Sequence, residues 1–284
     1  MIFGANTFIW RSPFSTDTDL DLIPKIKEMG FDLIEVAVED PALVDTDVLK
    51  DALEDNDLGI VMCGAFGPRR NISSLKDSER QAAKDYLTWM IDAAHKLGSD
   101  VVTGPMYSAV GKDRLEDPAD REIEWQFAVD GLKEIAVYAE ERGVKLAFEP
   151  LNRFETDLVN VVDQGLKLIE DVGAPNLGFH LDTFHMHLEE KDSPAAIRRA
   201  GDRIFHFHAC ENDRGVPGTG QVDWTGVFEA LVEVGYDGSV VIESFTPQVK
   251  SIARAVCIWR EIAPDQDTIA RDGLRFIKSF PGMN

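Results

Sequence analysis

Four side chains that can bind a metal lie at the ends of four successive apolar runs. They are separated by 33, 26 and 35 residues, so each gap is about one strand-plus-helix unit. Three carboxylates and one imidazole suit Mn²⁺ or Mg²⁺, with Co²⁺ as a further candidate. Burying such an acidic cluster is costly unless a cation neutralises it, so we predict a metal site. The four residues are Glu149, Asp182, His208 and Glu243.

Short apolar runs alternate with longer amphipathic ones, and this pattern predicts how the four side chains meet. Eight strands alternating with eight helices indicate a parallel sheet covered on both faces, and no glycine-rich phosphate turn of an open dinucleotide-binding sheet follows the first strand. We predict one α/β domain over 1–284, a single (β/α)8 TIM barrel with an extra C-terminal helix within 261–284. The predicted strands are 2–8, 32–37, 58–63, 100–104, 144–149, 177–182, 203–208 and 238–243, and the predicted helices are 18–29, 44–56, 76–97, 120–142, 158–172, 193–200, 224–234 and 248–260.

The charge and the cysteines limit the class of protein. The net charge is −22, from 29 Lys and Arg against 51 Asp and Glu, and such a surface repels phosphate backbones and anionic lipids. We therefore expect neither nucleic acid nor membrane partners. Cys63, Cys210 and Cys257 match neither a disulfide framework nor a zinc knuckle, which indicates reduced thiols in a cytoplasmic protein. We expect no signal peptide and no transmembrane helix.

Strand parity separates the histidines that lie near the predicted ligands. His180 and Asp182 are two residues apart and face the same side of their strand, and His206 and His208 repeat this spacing on the next strand. The outer members, Asp182 and His208, are the better placed ligands. His180 and His206 lie one layer deeper, where they either support the ligands or are hydrogen-bonded core histidines.

The motifs around these residues resemble those of the ketose 3-epimerases. This group includes the D-tagatose, D-allulose (psicose) and L-ribulose 3-epimerases of the xylose isomerase-like barrel superfamily. The resemblance spans the full chain and is strongest over 145–245. The motifs that carry it are Glu149-Pro-Leu-Asn-Arg-Phe-Glu155, Leu181-Asp-Thr-Phe-His185, His206-Phe-His-Ala-Cys-Glu-Asn-Asp-Arg214 and Ile242-Glu-Ser.

The resemblance implies roles for the residues of these motifs. The four candidate ligands would hold Mn²⁺, with Mg²⁺ or Co²⁺ as alternatives, and Glu149 and Glu243 would also be the acid/base pair. Glu155, His185 and Arg214 would hold the O1–O2–O3 end of a free ketose of the D-tagatose/D-sorbose, D-fructose/D-allulose or L-ribulose type. The resemblance also implies a homodimer or homotetramer.

The chemistry of C3 epimerisation explains why two glutamates are expected. A proton must leave one face of the carbon and another must return to the opposite face. Glu149 and Glu243, on the fifth and eighth strands, would approach a sugar from opposite sides. One would remove the C3 proton and the other would deliver a proton, while the metal polarises the ketone and stabilises a cis-enediolate.

Three further residues are candidates for the sugar pocket. Asn6 and Phe8 alternate on the first strand and, if they point inward, form a wall against the C4–C6 end; a plain core role is the alternative for Phe8. Tyr107 belongs to the family-like stretch after the fourth strand. The segment 105–119 is predicted to lie over the barrel mouth as a lid or specificity loop.

Other functions on the same scaffold stay open. Another sugar isomerase, hydroxypyruvate isomerase-like or inosose-processing, would share much of the metal set. A metal-dependent endonuclease IV-like hydrolase would need more ligands and a basic face, which the net charge disfavours. A non-catalytic barrel is disfavoured because the seven motif residues are intact. No basic phosphate cradle is evident, which favours free sugars over sugar phosphates.

Overall fold

A computed structural model describes residues 1–112 and 118–283 of the chain. Eight parallel strands close into a barrel in sequence order, with the first strand paired to the last. The predicted TIM barrel is confirmed. The strands are β1 (Ile2–Asn6), β2 (Leu33–Val38), β3 (Gly59–Gly64), β4 (Val101–Gly104), β5 (Lys145–Phe148), β6 (Leu177–Asp182), β7 (Ile204–His208) and β8 (Ser239–Ile242). The helices are α1 (Leu22–Glu28), α2 (Thr46–Asp55), α3 (Asp77–Leu97), α4 (Pro118–Glu140), α5 (Val162–Val172), α6 (Thr183–Glu189), α7 (Ser193–Ala200), α8 (Trp224–Glu233), α9 (Lys250–Ala255) and α10 (Gln266–Ile277).

The helices match the amphipathic runs with two main differences. The predicted helix 248–260 is limited to α9, after which Cys257 adopts a positive φ of 59°. The short helix α6 was not predicted, and it starts directly after β6. The helix expected near the C-terminus is α10. Among the described residues, none of the helices combines the length and the hydropathy needed to cross a bilayer.

The barrel interior is layered. A small apolar cluster draws its members from five different strands, so these side chains meet inside the barrel. Glu35 is two residues after the cluster member Leu33 on β2 and therefore also points inward, one layer nearer the C-terminal ends of the strands. A polar layer thus lies on an apolar one. The apolar cluster is Leu33, Val61, Val101, Ala147 and Val241.

The close approach of β3 and β4 depends on Gly104. This residue has φ of +114°, and a Cβ placed there would lie 2.5 Å from the carbonyl oxygen of Gly64. The carbonyl of Gly104 accepts a hydrogen bond from the N–H of Glu149 at 3.2 Å. The glycine therefore helps to position the residue that follows β5.

Replacing Gly104 with Ala should destabilise the fold by about 3 kcal/mol or more, because backbone strain and a steric clash add together. Gly98→Ala is the matched control. It also has a positive φ, of 80°, but among the described residues no heavy atom beyond its two chain neighbours lies within 4 Å of the added Cβ, so its cost should be about 1–2 kcal/mol. Denaturant unfolding would measure both variants, and equal losses of stability would contradict the clash.

Candidate active site

The four predicted metal ligands come together at the C-terminal ends of their strands. Asp182 and His208 are the last residues of β6 and β7, and Glu149 and Glu243 directly follow β5 and β8. The Nδ1 atom of His208 lies 3.6 Å from Oε2 of Glu243 and 3.9 Å from Oδ2 of Asp182. All four residues are buried, with at most 7% of their surface exposed. Together they form one compact cluster.

The start of α6 determines the orientation of Asp182. Its Oδ1 atom accepts a hydrogen bond from the backbone N–H of Phe184 at 2.6 Å, so Asp182 caps the helix. The other oxygen, Oδ2, is left to face His208 and Arg214. One carboxylate thus links the end of a strand, the start of a helix and the charged cluster.

Arg214 places its guanidinium inside the carboxylate cluster. Its Nη1 atom lies 2.7 Å from Oδ2 of Asp182 and 3.0 Å from Oε2 of Glu243. The guanidinium also lies over the rings of Phe184 and Phe245, 3.9 and 4.9 Å from their centres. Arg214 has φ of +63°, an uncommon conformation for a residue with a side chain. Such backbone strain is found at functional sites.

A buried carboxylate shapes the loop that carries Arg214. Glu211 accepts hydrogen bonds from the N–H of Gly218 at 2.8 Å and from the indole of Trp224 at 2.9 Å. The hydroxyl of Ser244 donates to the carbonyl oxygen of Arg214. Sequence reasoning missed Glu211, although a carboxylate three residues after the end of β7, at the start of a glycine-rich loop, was an available signal.

Burial and neighbouring charges move the proton affinities of the carboxylates in opposite directions. Burial raises the pKa of Glu149 well above its usual range, and repulsion from Glu243 and Asp182 raises it further. Burial acts in the same direction on Asp182, but the Arg214 guanidinium, the imidazoles of His185 and His208 and the N–H of Phe184 together outweigh it and lower the pKa of Asp182. The cluster thus contains one carboxyl group that favours the protonated form, Glu149, and one that stays ionised, Asp182. Such a pair is typical of sites that transfer protons.

The donor set fits a divalent cation. The Nδ1 atom of His208 is buried and has no hydrogen-bond partner within the described part of the chain, yet it faces two carboxylates. Donor atoms of Asp182, His208, Cys210 and Glu243 lie within 4.8 Å of one another. An imidazole lone pair among carboxylate oxygens is a suitable set for Mn²⁺ and related cations.

Glu35 contacts two of the histidines from inside the barrel, and no motif pointed to it. Its Oε1 atom lies 2.7 Å from Nε2 of His208 and accepts a hydrogen bond from Nδ2 of Asn6 at 2.6 Å. Its Oε2 atom lies 2.6 Å from Nε2 of His206. Burial alone would raise the pKa of Glu35, but the two imidazoles more than offset it and lower the pKa well below its usual range. The signal in the sequence was a single carboxylate inside the apolar run of β2.

The two deeper histidines differ in their contacts. The Nδ1 atom of His206 is hydrogen-bonded to the hydroxyl of Ser239 at 2.8 Å. The ring of His180 packs edge-on against the rings of His206 and His208, yet neither of its nitrogens has a hydrogen-bond partner among the residues described. Its Nδ1 atom lies 3.8 Å from Oε2 of Glu149. The interpretation as a hydrogen-bonded core histidine therefore fits His206 but not His180.

A cavity of about 340 Å³ opens onto the cluster. Both polar side chains and aromatic or aliphatic side chains line its wall. The predicted sugar contacts Glu155, His185, Arg214 and Phe8 all reach it. The wall includes Phe8, Glu39, Phe66, Glu149, Glu155, His185, Arg214, Glu243, Phe245 and Val256.

Asn152 orients two of the predicted sugar contacts. Its backbone N–H donates to Nδ1 of His185 at 3.0 Å, and its side-chain amide donates to Oε1 of Glu155 at 2.8 Å. Arg153 pairs with Glu189 at 2.9 Å rather than with Glu155. The Glu155 carboxylate is therefore held toward the cavity by Asn152.

The structure does not bring Asn6 and Tyr107 to the cavity wall. The Asn6 side chain is completely buried against Glu35. The hydroxyl of Tyr107, also fully buried, donates to the carbonyl oxygen of Val159 at 2.7 Å and accepts from the N–H of Leu151 at 3.3 Å. Both side chains satisfy polar groups inside the protein, which a pattern of alternating residues cannot reveal.

The segment predicted to form a lid contributes to the wall in its first part. Pro105 and Val110 line the cavity, and the N–H of Gly111 donates to the carbonyl oxygen of Glu155 at 2.7 Å. Residues 113–117 of that segment lie outside the described residues. The described part thus connects the β4–α4 loop to the loop that carries Glu155.

Comparison with known proteins assigns the family. A model of the xylose isomerase-like TIM barrel family matches residues 23–280. An L-ribulose 3-epimerase of Methylomonas sp. (strain DH-1) is 31% identical over 97% of this chain and 96% of its own length. The D-psicose 3-epimerase of Ruminiclostridium cellulolyticum is 34% identical, covering 94% of this chain and 92% of its own.

A solved structure gives the same assignment. The crystal structure of D-allulose 3-epimerase from Methylomonas sp. in complex with D-allulose matches with a TM-score of 0.92 and 30% identity. The match covers 98% of this chain and 96% of that one. The chain is therefore a carbohydrate epimerase, and it belongs to the ketose 3-epimerase family of xylose isomerase-like TIM barrels.

Proposed function

We propose that the protein catalyses the metal-dependent epimerisation of a free ketose at C3. The observation that carries this proposal is that Glu149 and Glu243, from strands three steps apart in the barrel, line the same cavity. Asp182 and His208 lie beside them, and Arg214 and His185 line or border the same space. The site thus combines two proton-transfer groups with a set of metal donors.

The metal would be held by Glu149, Asp182, His208 and Glu243, with Mn²⁺ as the proposed ion and Mg²⁺ or Co²⁺ as substitutes. Bound there, a divalent cation supplies Lewis acidity that polarises a ketone oxygen. Burial of the donors excludes water, which strengthens electrostatic interactions in the site. Two observations support this assignment: the family relationship, and the Nδ1 atom of His208, which has no hydrogen-bond partner among the residues that the structure describes.

The two glutamates would move the protons. One carboxylate removes the proton at C3, and the other carboxyl group delivers a proton to the opposite face. Because the reaction is reversible, each glutamate acts as the base in one direction and as the acid in the other. Glu149 and Glu243 have to lie on opposite sides of the sugar for this, as their separation around the barrel allows.

The rest of the cavity would determine how the sugar binds. Arg214, His185 and Glu155 would hold the O1–O3 end next to the glutamates. The rings of Phe8 and Phe245, 5.6 Å apart between centres, provide an apolar surface for the distal carbons. Arg214 is the only lysine or arginine among the described residues that line the cavity. Its guanidinium already pairs with two carboxylates, so it is not available to neutralise a phosphate. This favours an uncharged ketose over a sugar phosphate.

Removal of the metal with EDTA should abolish epimerase activity, and added Mn²⁺ should restore it. D-Fructose, D-tagatose and L-ribulose would be incubated separately with the reloaded enzyme, and the products would be separated by chromatography. At least one should yield its C3 epimer. Full activity in EDTA would exclude the metal dependence, and aldose products without any C3 epimer would instead indicate an isomerase.

Replacing Glu149 or Glu243 with Gln should lower kcat by about 100-fold or more, because a general acid or base typically contributes that much. The surface variant Glu229→Gln, an exposed position on α8, is the matched control and should retain wild-type turnover. Steady-state kinetics on the epimerised ketose would measure all three. Near-normal kcat in either site variant would contradict the two-glutamate mechanism.

A further inference from the structure

We propose that Glu35 is a positioning residue for the metal site, which holds the imidazole of His208 so that its Nδ1 atom faces the carboxylates. This inference rests on the proposed function, because it concerns how one ligand of the proposed metal is oriented. Glu35 lies on β2, on the side of His208 away from the other donors, and belongs to none of the motifs that indicated the site.

The hydrogen bond between Glu35 and His208 sets the tautomer of the ring. An ionised carboxylate only accepts hydrogen bonds, so the nitrogen that lies 2.7 Å from Oε1, Nε2, must carry the proton. The lone pair of a neutral ring is then on Nδ1. That atom has no hydrogen-bond partner in the described structure and lies 3.6 Å from Glu243 and 3.9 Å from Asp182. A carboxylate behind a ligating imidazole is a common means of orienting metal-binding histidines.

Glu35 is itself held rigidly. Nδ2 of Asn6 donates to it at 2.6 Å, and the oxygen of the same amide accepts from the N–H of Phe8 at 2.8 Å. On the other side, Nε2 of His206 lies 2.6 Å from Oε2 of Glu35. Glu35, Asn6 and His206 are completely buried, so bulk water cannot replace these contacts. The orientation of His208 therefore depends on a network that spans β1, β2 and β7.

Two substitutions at Glu35 distinguish a carboxylate that orients the His208 imidazole from a side chain that only fills space in the core. Glu35→Met keeps a side chain of similar length but removes the acceptor for His208. Glu35→Gln keeps an oxygen that can accept the same hydrogen bond, without the charge. Ser239→Ala is the control, because it removes the hydrogen bond to His206 but does not touch His208. Circular dichroism and thermal melting would establish that each variant is folded.

Mn²⁺ titration of the EDTA-treated proteins by calorimetry would test the proposal without an activity assay. We expect the dissociation constant to rise about 10- to 100-fold in Glu35→Met. Glu35→Gln should show a smaller rise, of at least about threefold, because a neutral amide accepts a hydrogen bond more weakly than a carboxylate. Ser239→Ala should stay within about twofold of the wild type, because the contact between Glu35 and His208 is intact.

An unchanged dissociation constant in folded Glu35→Met would overturn the proposal. If that variant does not fold, Glu35→Gln decides: a rise of threefold or more supports the proposal, and an unchanged value overturns it. Equal losses in Ser239→Ala and Glu35→Met would also contradict it, because the effect would then come from general disturbance of the buried layer. If the wild-type protein binds no Mn²⁺, the proposed metal site fails independently of Glu35.

Discussion

Buried negative charge is the constraint on which the rest of this barrel depends. The carboxylates of Glu35, Glu149, Asp182 and Glu243 lie inside or at the mouth of a closed sheet, where an unpaired charge would be very costly. Partners offset that cost in several ways. Imidazoles and an amide surround Glu35, a helix N-terminus and the guanidinium of Arg214 face Asp182, and a raised pKa favours the neutral form of Glu149. A divalent cation at the cluster would complete this compensation.

The layers of the barrel follow from this requirement. An apolar cluster excludes water from the interior, and the layer that contains Glu35 and His206 orients the histidine above it. The outermost layer carries the donors and the cavity. Loops then add the proposed sugar contacts: the loop after β5 carries Glu155, and the loop after β7, organised by Glu211, carries Arg214. Rigid strands thus position the proposed reactive groups, and in the proposed function the loops would determine which sugar fits.

The sequence predicted the barrel and the composition of the cluster because both depend on local pattern. Strand and helix periods are local, and one donor at each of four strand ends requires the four to converge. Contacts across the barrel join residues that are far apart in the chain, so no local pattern predicts them. Glu35 and His208 are 173 residues apart, and nothing near Glu35 in the sequence signals its partner. In the same way, the sequence pattern predicts that Asn6 and Tyr107 line the sugar pocket, yet tertiary hydrogen bonds hold both inside the protein. The helix α6 is so short that it has little amphipathic signal of its own.

In the proposed mechanism, two carboxyl groups transfer protons at opposite faces of one carbon. Its most direct test is to run the Mn²⁺-loaded enzyme on an epimerised ketose in D₂O and to measure deuterium at C3 by NMR at early conversion. The two-glutamate mechanism predicts one solvent-derived deuterium at C3 of the product epimer and almost none in the remaining substrate, because each face has its own acid/base group. A product epimer that retains its original hydrogen at C3, or equal labelling of substrate and product, would contradict it.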